Sequence, residues 1–270
     1  GIIELTSEKD PVAYSKIFFE AVNNGLTTFF VLVVLQVYTL SKVKAIDGIA
    51  GPWGYYVLTQ SYVWLRYFLA FFIPGNLSAD SDWVVIKNVF DERILCGLIF
   101  VAALITTIIR TSVKNETRPI AFGLIWFVVS LLPTSLVPFA EVTNDHRMYF
   151  PFVGLTLSVV SFFGLKLTQV TQKNASLRKA IMVLSILSVM LIGAHAFGVY
   201  QRNKVWKTEE SLWLDVTVKS PANGRGLMNY GLAQMAKGNY NIANEYFQRS
   251  LIYNPYYHTL FINIGILKAG

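Results

Sequence analysis

Five residues that carry acid–base or anion-binding chemistry, Glu141, Asp145, His146, Arg147 and Tyr149, fall within one stretch of nine. Pro138 and Pro151 bound the stretch, and long apolar runs lie on either side, so it reads as a loop at a membrane surface. Charge at that depth needs a partner or a ligand. The planar fork of Arg147 matches a phosphate, and His146 adds a second donor or moves a proton near neutrality. Two readings follow. In one, the loop recognises an anionic headgroup such as the phosphate of a lipid-linked sugar, with Arg66 joining if its segment lies at the same surface. In the other, Arg147 pairs with Glu141 or Asp145 to fasten the loop, and Tyr149 anchors it at the interface. Asp80 and Asp82, in a turn, suit solvated or capping roles, or support behind a site or beside a metal.

The elements that must position these groups are mostly membranous. Of 270 residues 54% are apolar and only 14% charged, with positive mean hydropathy, the composition of a polytopic membrane protein with a small polar tail. The net charge of +7 sits in short loops between apolar runs, where it orients a membrane protein, so nucleic acid is not an expected partner. Cys96 is the single cysteine, which excludes a disulfide framework and a thiolate zinc site. No phosphate-cradling glycine loop, dinucleotide fingerprint or metal-ligand spacing occurs.

Five runs, at 25–40, 94–109, 119–137, 149–167 and 180–200, approach the ~20 residues that cross a bilayer. The run at 94–109 is short, but Arg93 and Arg110 flank it and can reach opposite interfaces. Segment 55–73 is apolar and aromatic yet holds Gln60, Ser61 and Arg66. It is expected to lie along the outer interface with its polar residues toward water, a sixth span being the alternative. Loops 110–118 and 166–179 are basic and should be cytoplasmic, which leaves 74–93, 138–148 and the tail after Tyr200 together on the opposite face. His195, inside the last run, more readily bonds a neighbouring helix than a metal. Of three glycosylation triplets, at Asn76, Asn115 and Asn174, only that at Asn76 falls on the outer side.

Residues 224–257 resemble one tetratricopeptide repeat. With Gly224 as the first of 34 places, Gly231, Gly238, Tyr240, Ala243, Phe247, Leu251 and Pro255 fall at its characteristic positions. Small Gly231 and Ala243 let two helices approach, Gly238 makes the turn, and Pro255 ends the second helix. Phe261, Ile264 and Gly265 begin a second unit that stops at Gly270. Such repeats need about three units for stability, so the chain is expected to be a fragment, cut at both ends. Asn229, Tyr230, Gln234 and Asn263 are the expected surface positions for a protein or peptide ligand.

The expected class is all-α: a multi-span membrane domain over 1–200 with about five spans plus one interfacial or sixth helix, a linker helix over 201–223, and the start of a repeat solenoid over 224–270. Further motifs carry a resemblance across nearly the whole chain. Leu132-Pro133-Thr134-Ser135-Leu136-Val137-Pro138, then Asn144-Asp145-His146-Arg147-Met148-Tyr149-Phe150-Pro151-Phe152-Val153-Gly154-Leu155, then a span, a basic loop, a last span and Trp206 before the repeats, resemble the carboxyl-terminal membrane half of the transmembrane and tetratricopeptide-repeat proteins. Thr59, Gln60, Tyr67, Pro74, Leu77, Asp80 and Asp82 match the preceding region. That family includes lumenal protein O-mannosyltransferases and has bacterial relatives. The resemblance implies a GT-C type glycosyltransferase that moves sugar from a polyprenyl- or dolichyl-phosphate donor to a hydroxyl, in the endoplasmic reticulum lumen or the periplasm. It places the catalytic carboxylates in an outer loop upstream of Gly1, so this segment alone is expected to be inactive. It also leaves room for a divalent metal in the full-length enzyme, with no cofactor assigned here. The alternative is a membrane-anchored repeat scaffold without catalysis.

Overall fold

The computed structural model describes residues 53–139, 141–171 and 177–269; the apolar run at 25–40 lies outside them. All regular structure among these residues is helical: α1 (Trp53–Phe72), α2 (Glu92–Ser112), α3 (Arg118–Leu136), α4 (Tyr149–Thr171), α5 (Leu177–Val205), α6 (Glu209–Lys219), α7 (Gly224–Ala236), α8 (Tyr240–Tyr253) and α9 (His258–Ala269). The chain is a multi-pass membrane protein, with α2 to α5 supplying four described helices long and apolar enough to cross.

The run that looked short is extended by its cap. Asp91 accepts from the amide of Arg93 and starts α2 two residues before Ile94, and 21 residues at 1.5 Å each make about 31 Å. Spans α3 and α4 pack closely because the contact is lined by small residues. A Cβ on Gly123 or Gly154 would strike the opposite backbone, and Ser158 Oγ donates across the contact to the Ile120 carbonyl at 2.9 Å. Gly97 plays the same part between α2 and α1, facing Ser61.

Helix α1 is not apolar enough to rank with the spans. Its bonds follow the end of α3 and the loop beyond it. Trp53 Nε1 donates to the Leu136 carbonyl at 2.8 Å and the Tyr56 hydroxyl to that of Thr134 at 2.9 Å, which satisfies carbonyls that the last turn of α3 leaves without helical partners. The orientation of its polar face departs from the expectation. Gln60 and Ser61 are buried, and Arg66 is largely covered. Ser61 packs against Gly97 of α2, whereas Gln60 and Arg66 face the loop at 141–145, which has no regular structure of its own to satisfy its polar groups.

Beyond α5 the chain turns into α6, where Asp215 pairs with Arg202 at 2.5 Å and with Lys219 at 2.9 Å. Helices α7 and α8 form a hairpin whose turn holds Gly238 at φ +80°. Phe247 and Ala243 are fully buried, and a Cβ on Gly231 would come within 2.8 Å of the Phe247 ring. Pro255 follows the end of α8, and α9 starts one 34-residue period after α7.

Candidate functional site

The loop at 141–145 is held by α1. The Tyr67 hydroxyl donates to the Asn144 carbonyl at 2.9 Å and accepts from the Asn144 amide at 2.9 Å and from Thr143 Oγ1 at 3.0 Å. Gln60 Nε2 donates to the Val142 carbonyl at 3.0 Å. With its backbone satisfied in this way, the loop remains ordered without pairing to a strand. Asn144 then caps the short helix Asp145–Met148 and donates to Glu141 Oε2 at 2.6 Å.

Both sequence-predicted arginines find a carboxylate. Arg66 Nη1 donates to Asp145 Oδ1 at 2.9 Å and to Thr143 Oγ1 at 3.2 Å, and its guanidinium lies 5.2 Å from the Trp83 ring, which stacks on Tyr62. The other Asp145 oxygen accepts from the Ser78 amide at 2.7 Å. Arg147 Nη1 donates to the Glu141 carbonyl at 3.2 Å, Nη2 stands 4.0 Å from Glu141 Oε2, and the guanidinium covers Phe139 at 4.8 Å. The anticipated fastening pair is therefore present, joined by a second pair through Arg66. His146 is exposed and its imidazole has no hydrogen-bond partner among the described residues. Tyr149 is 83% exposed, as an interface anchor would be.

Sequence reasoning missed Arg225. This second residue of α7 reaches across to acids of two loops, with Nε donating to Asp80 Oδ2 at 2.7 Å and Nη2 pairing with Glu141 Oε1. Around it, the Asp82 carboxylate accepts from the Ala222 amide at 3.2 Å, Asn223 Nδ2 donates to the Ser81 carbonyl at 2.8 Å, and Lys219 Nζ donates to the Leu77 carbonyl at 2.7 Å. Asp80 and Asp82 are thus docking residues for the first repeat-like helix. Loops 77–82 and 141–145 and the start of α7 lie on one side of the membrane domain. The only sequence signal was an arginine set between Gly224 and Gly226, which themselves fit closely against Asn254 and Val216.

The electrostatics of the two acids differ. Asp80 is 3% exposed, and burial raises its carboxyl pKa despite the opposing pull of Arg225. Burial is also the largest influence on Glu141, but bonds from Asn144 and Arg225 together outweigh it and hold this carboxyl below its usual range. Arg225 is held above its ordinary value: burial alone would lower it, and the two acids more than compensate.

Two expected surface positions of the repeat region are instead buried. Gln234, 3% exposed, donates to Glu210 Oε1 and accepts from Asn239 Nδ2, both at 2.8 Å, tying α7 to α6 and to the hairpin turn. Asn263 is covered on α9 at 7% exposure. Asn229 and Tyr230 are half-buried, Tyr230 lying edge-on to Tyr246 at 4.6 Å. No group of three potential metal ligands occurs among the described residues.

The chain is similar to animal proteins named for sugar transfer. It is 28% identical over 195 residues to the protein O-mannosyl-transferase F38B6.6 of Caenorhabditis elegans, a match covering 69% of this chain and 27% of the relative. It is 26% identical over 180 residues to the protein O-mannosyl-transferase Tmtc3 of Drosophila melanogaster, covering 63% and 19%, and 28% identical over 157 residues to Tmtc1 of the same organism, covering 57% and 18%. The chain thus spans about a quarter or less of the length of the curated relatives it matches. No family model matches it, and no solved structure does.

Proposed function

We propose that this chain is the outer-surface portion of a membrane glycosyltransferase that transfers a sugar, mannose by similarity, from a polyprenyl- or dolichyl-phosphate donor to a hydroxyl on the extracytoplasmic face. The observation that carries the reading is the outer loop. It is fixed from below by Tyr67 and Gln60, it presents Arg66, His146 and Arg147 at one membrane surface, and it occurs in a chain similar to three proteins named protein O-mannosyl-transferases. As the glycosidic bond breaks, negative charge grows on the departing lipid phosphate, and cationic donors fixed in advance stabilise it without reorganising. Arg66 and Arg147 each use only part of a five-donor guanidinium on their carboxylates, and His146 points outward to add another donor. Asp145 and Glu141 position the two forks. The carboxylate that takes the acceptor proton is assigned to another part of the full-length enzyme, as is any divalent metal.

Helices α7 to α9 act in this reading as the first tetratricopeptide units, docked by Arg225 so that a bound acceptor peptide meets the outer loop. The second reading, an anchored scaffold without catalysis, draws support from the pairing of both arginines, which a purely fastening role also requires. Sugar transfer by the full-length protein separates the two. His146→Ala, at an exposed position, should fold normally and lose donor turnover by about 100- to 1,000-fold, on the scale of one stabilising donor. Wild-type rates in that variant remove the headgroup role from His146, and no transfer by the wild-type protein leaves the scaffold.

A further inference from the structure

The last span stands apart from the body of the membrane domain: none of its apolar window is buried by protein. Between it and the end of α1 lies a cavity of about 660 Å³, within the ~300–1,000 Å³ of small-molecule sites. Its walls are graded. Phe72, Ile73 and Leu191 line one part, and Arg202, Asn76 and Lys219 another. Along α5 the change from Leu191 to Asn203 takes roughly 18 Å, the axis of an amphiphile lying parallel to the span. The polar end adjoins loop 77–82, since Lys219 bonds the Leu77 carbonyl. It therefore opens into the leaflet that carries the outer loop.

Charge selects the headgroup. Asp215 takes the Lys219 ammonium on both oxygens, at 2.9 and 3.1 Å, and one nitrogen of Arg202. Lys219 is thereby spent. Arg202 keeps four of its five N–H donors without a partner among the described residues, and the local balance is two cations to one acid. Two helical turns deeper, the half-buried His195 lines the same cavity with no hydrogen-bond partner among the described residues. A polar group there suits an acceptor below the phosphate. The glycerol esters of a phospholipid supply one, and a prenyl chain does not.

We infer that the cleft between α1 and α5 binds one anionic phospholipid of the surrounding bilayer, its phosphate on Arg202, its ester region at His195 and an acyl chain against Leu191, Ile73 and Phe72. The lipid fills the gap beside the last span and couples that span to the docking loop. The site is separate from the proposed donor loop and does not depend on the transferase reading.

Gly198 supplies the test, because it lines the cavity and a Cβ there meets nothing within 4 Å. The full-length protein is reconstituted in nanodiscs of mixed phosphatidylglycerol and phosphatidylcholine, extracted, and its retained lipid measured by native mass spectrometry. The expected result is about one phosphatidylglycerol per chain, lost in Gly198→Phe with unchanged thermal unfolding of the apo form. In Arg202→Gln, binding should persist with the preference for anionic lipid reduced about fivefold, the equivalent of roughly 1 kcal/mol per basic residue at a membrane. Retention that survives Gly198→Phe, a wild-type protein that holds both lipids equally, or preferential uptake of added polyprenyl phosphate over phosphatidylglycerol would each overturn the assignment.

Discussion

Replacing Arg225 by Ala removes the cation shared by Asp80 and Glu141 and is the sharpest probe of how the repeat-like helices are held. The cost can be bounded from both sides. Loss of one partner from a fully buried pair costs about 3–5 kcal/mol. Here Asp80 is 3% exposed but the Arg225 side chain is 40% exposed, so solvent screens part of the interaction and the cost falls below that range. A ceiling comes from Asp80 itself, which escapes an unpaired charge by taking a proton. From the ordinary value of 3.8 that costs about 4 kcal/mol at pH 7, and less because burial already raises it. A net loss of about 2 kcal/mol in docking follows. Native-state hydrogen exchange in nanodiscs reads it directly: amides of Ser81, Ala222 and Gly226 should exchange about 30-fold faster, with α3 and α4 unchanged. Arg225→Lys should fall between, since an ammonium cannot fork to two acids. Combining Arg225→Ala with Asp80→Asn should restore part of the protection, because the orphaned charge is gone. Exchange within threefold of wild type, or strictly additive effects in the double variant, would refute the clamp.

Tyr67→Phe deletes a hydroxyl bonded to three buried loop groups and should destabilise the membrane domain by about 2–3 kcal/mol, seen as a lower thermal midpoint. Gly154→Leu drives a side chain into the Gly123 carbonyl and Trp126, and should cost about 3 kcal/mol or prevent folding; a normal melting curve would contradict the α3–α4 contact. Acidification should weaken the docking through Glu141. Glu141 is held below 4.5, so its contribution is full above that value and lost as pH falls through its depressed pKa. Asp80 has the opposite sign, because its raised pKa makes ionisation a cost at neutral pH that is relieved on protonation. Exchange at Ala222 should therefore stay slow down to about pH 4.5 and rise as Glu141 protonates below it; a rise already near neutrality would count against this sign. A cysteine introduced at Asn239 should react with an impermeant label from the extracytoplasmic side, and protection there would invert the orientation.

Sequence pattern exposed what depends on composition and local spacing. The spans α2 to α5 lie where the apolar runs lie, because crossing the bilayer requires an unbroken run whatever its partners. The helix hairpin of α7 and α8 follows from Gly231, Gly238 and Ala243 for the same local reason. Within the loop, the neighbours Glu141 and Arg147 were readable as a pair because six residues of turn bring them together. Arg225 was not readable, since its partners stand 145 and 84 residues earlier and only the tertiary fold makes them adjacent. Segment 55–73 was misread in orientation on related grounds. Gln60 and Arg66 are polar residues that water and a buried loop satisfy equally well in a periodicity argument, and the deciding groups, the Val142 carbonyl and Asp145, lie some 80 residues away.

The central claim rests on sugar transfer at the outer loop, and the most direct measurement is transfer from a radiolabelled polyprenyl- or dolichyl-phosphate mannose donor to a hydroxyl-bearing peptide by the purified full-length protein, wild type beside His146→Ala. Product is expected with the wild-type protein, and a loss of about 100- to 1,000-fold in the variant at equal folding. Absence of wild-type transfer, with donor and peptide both shown to bind, would contradict it.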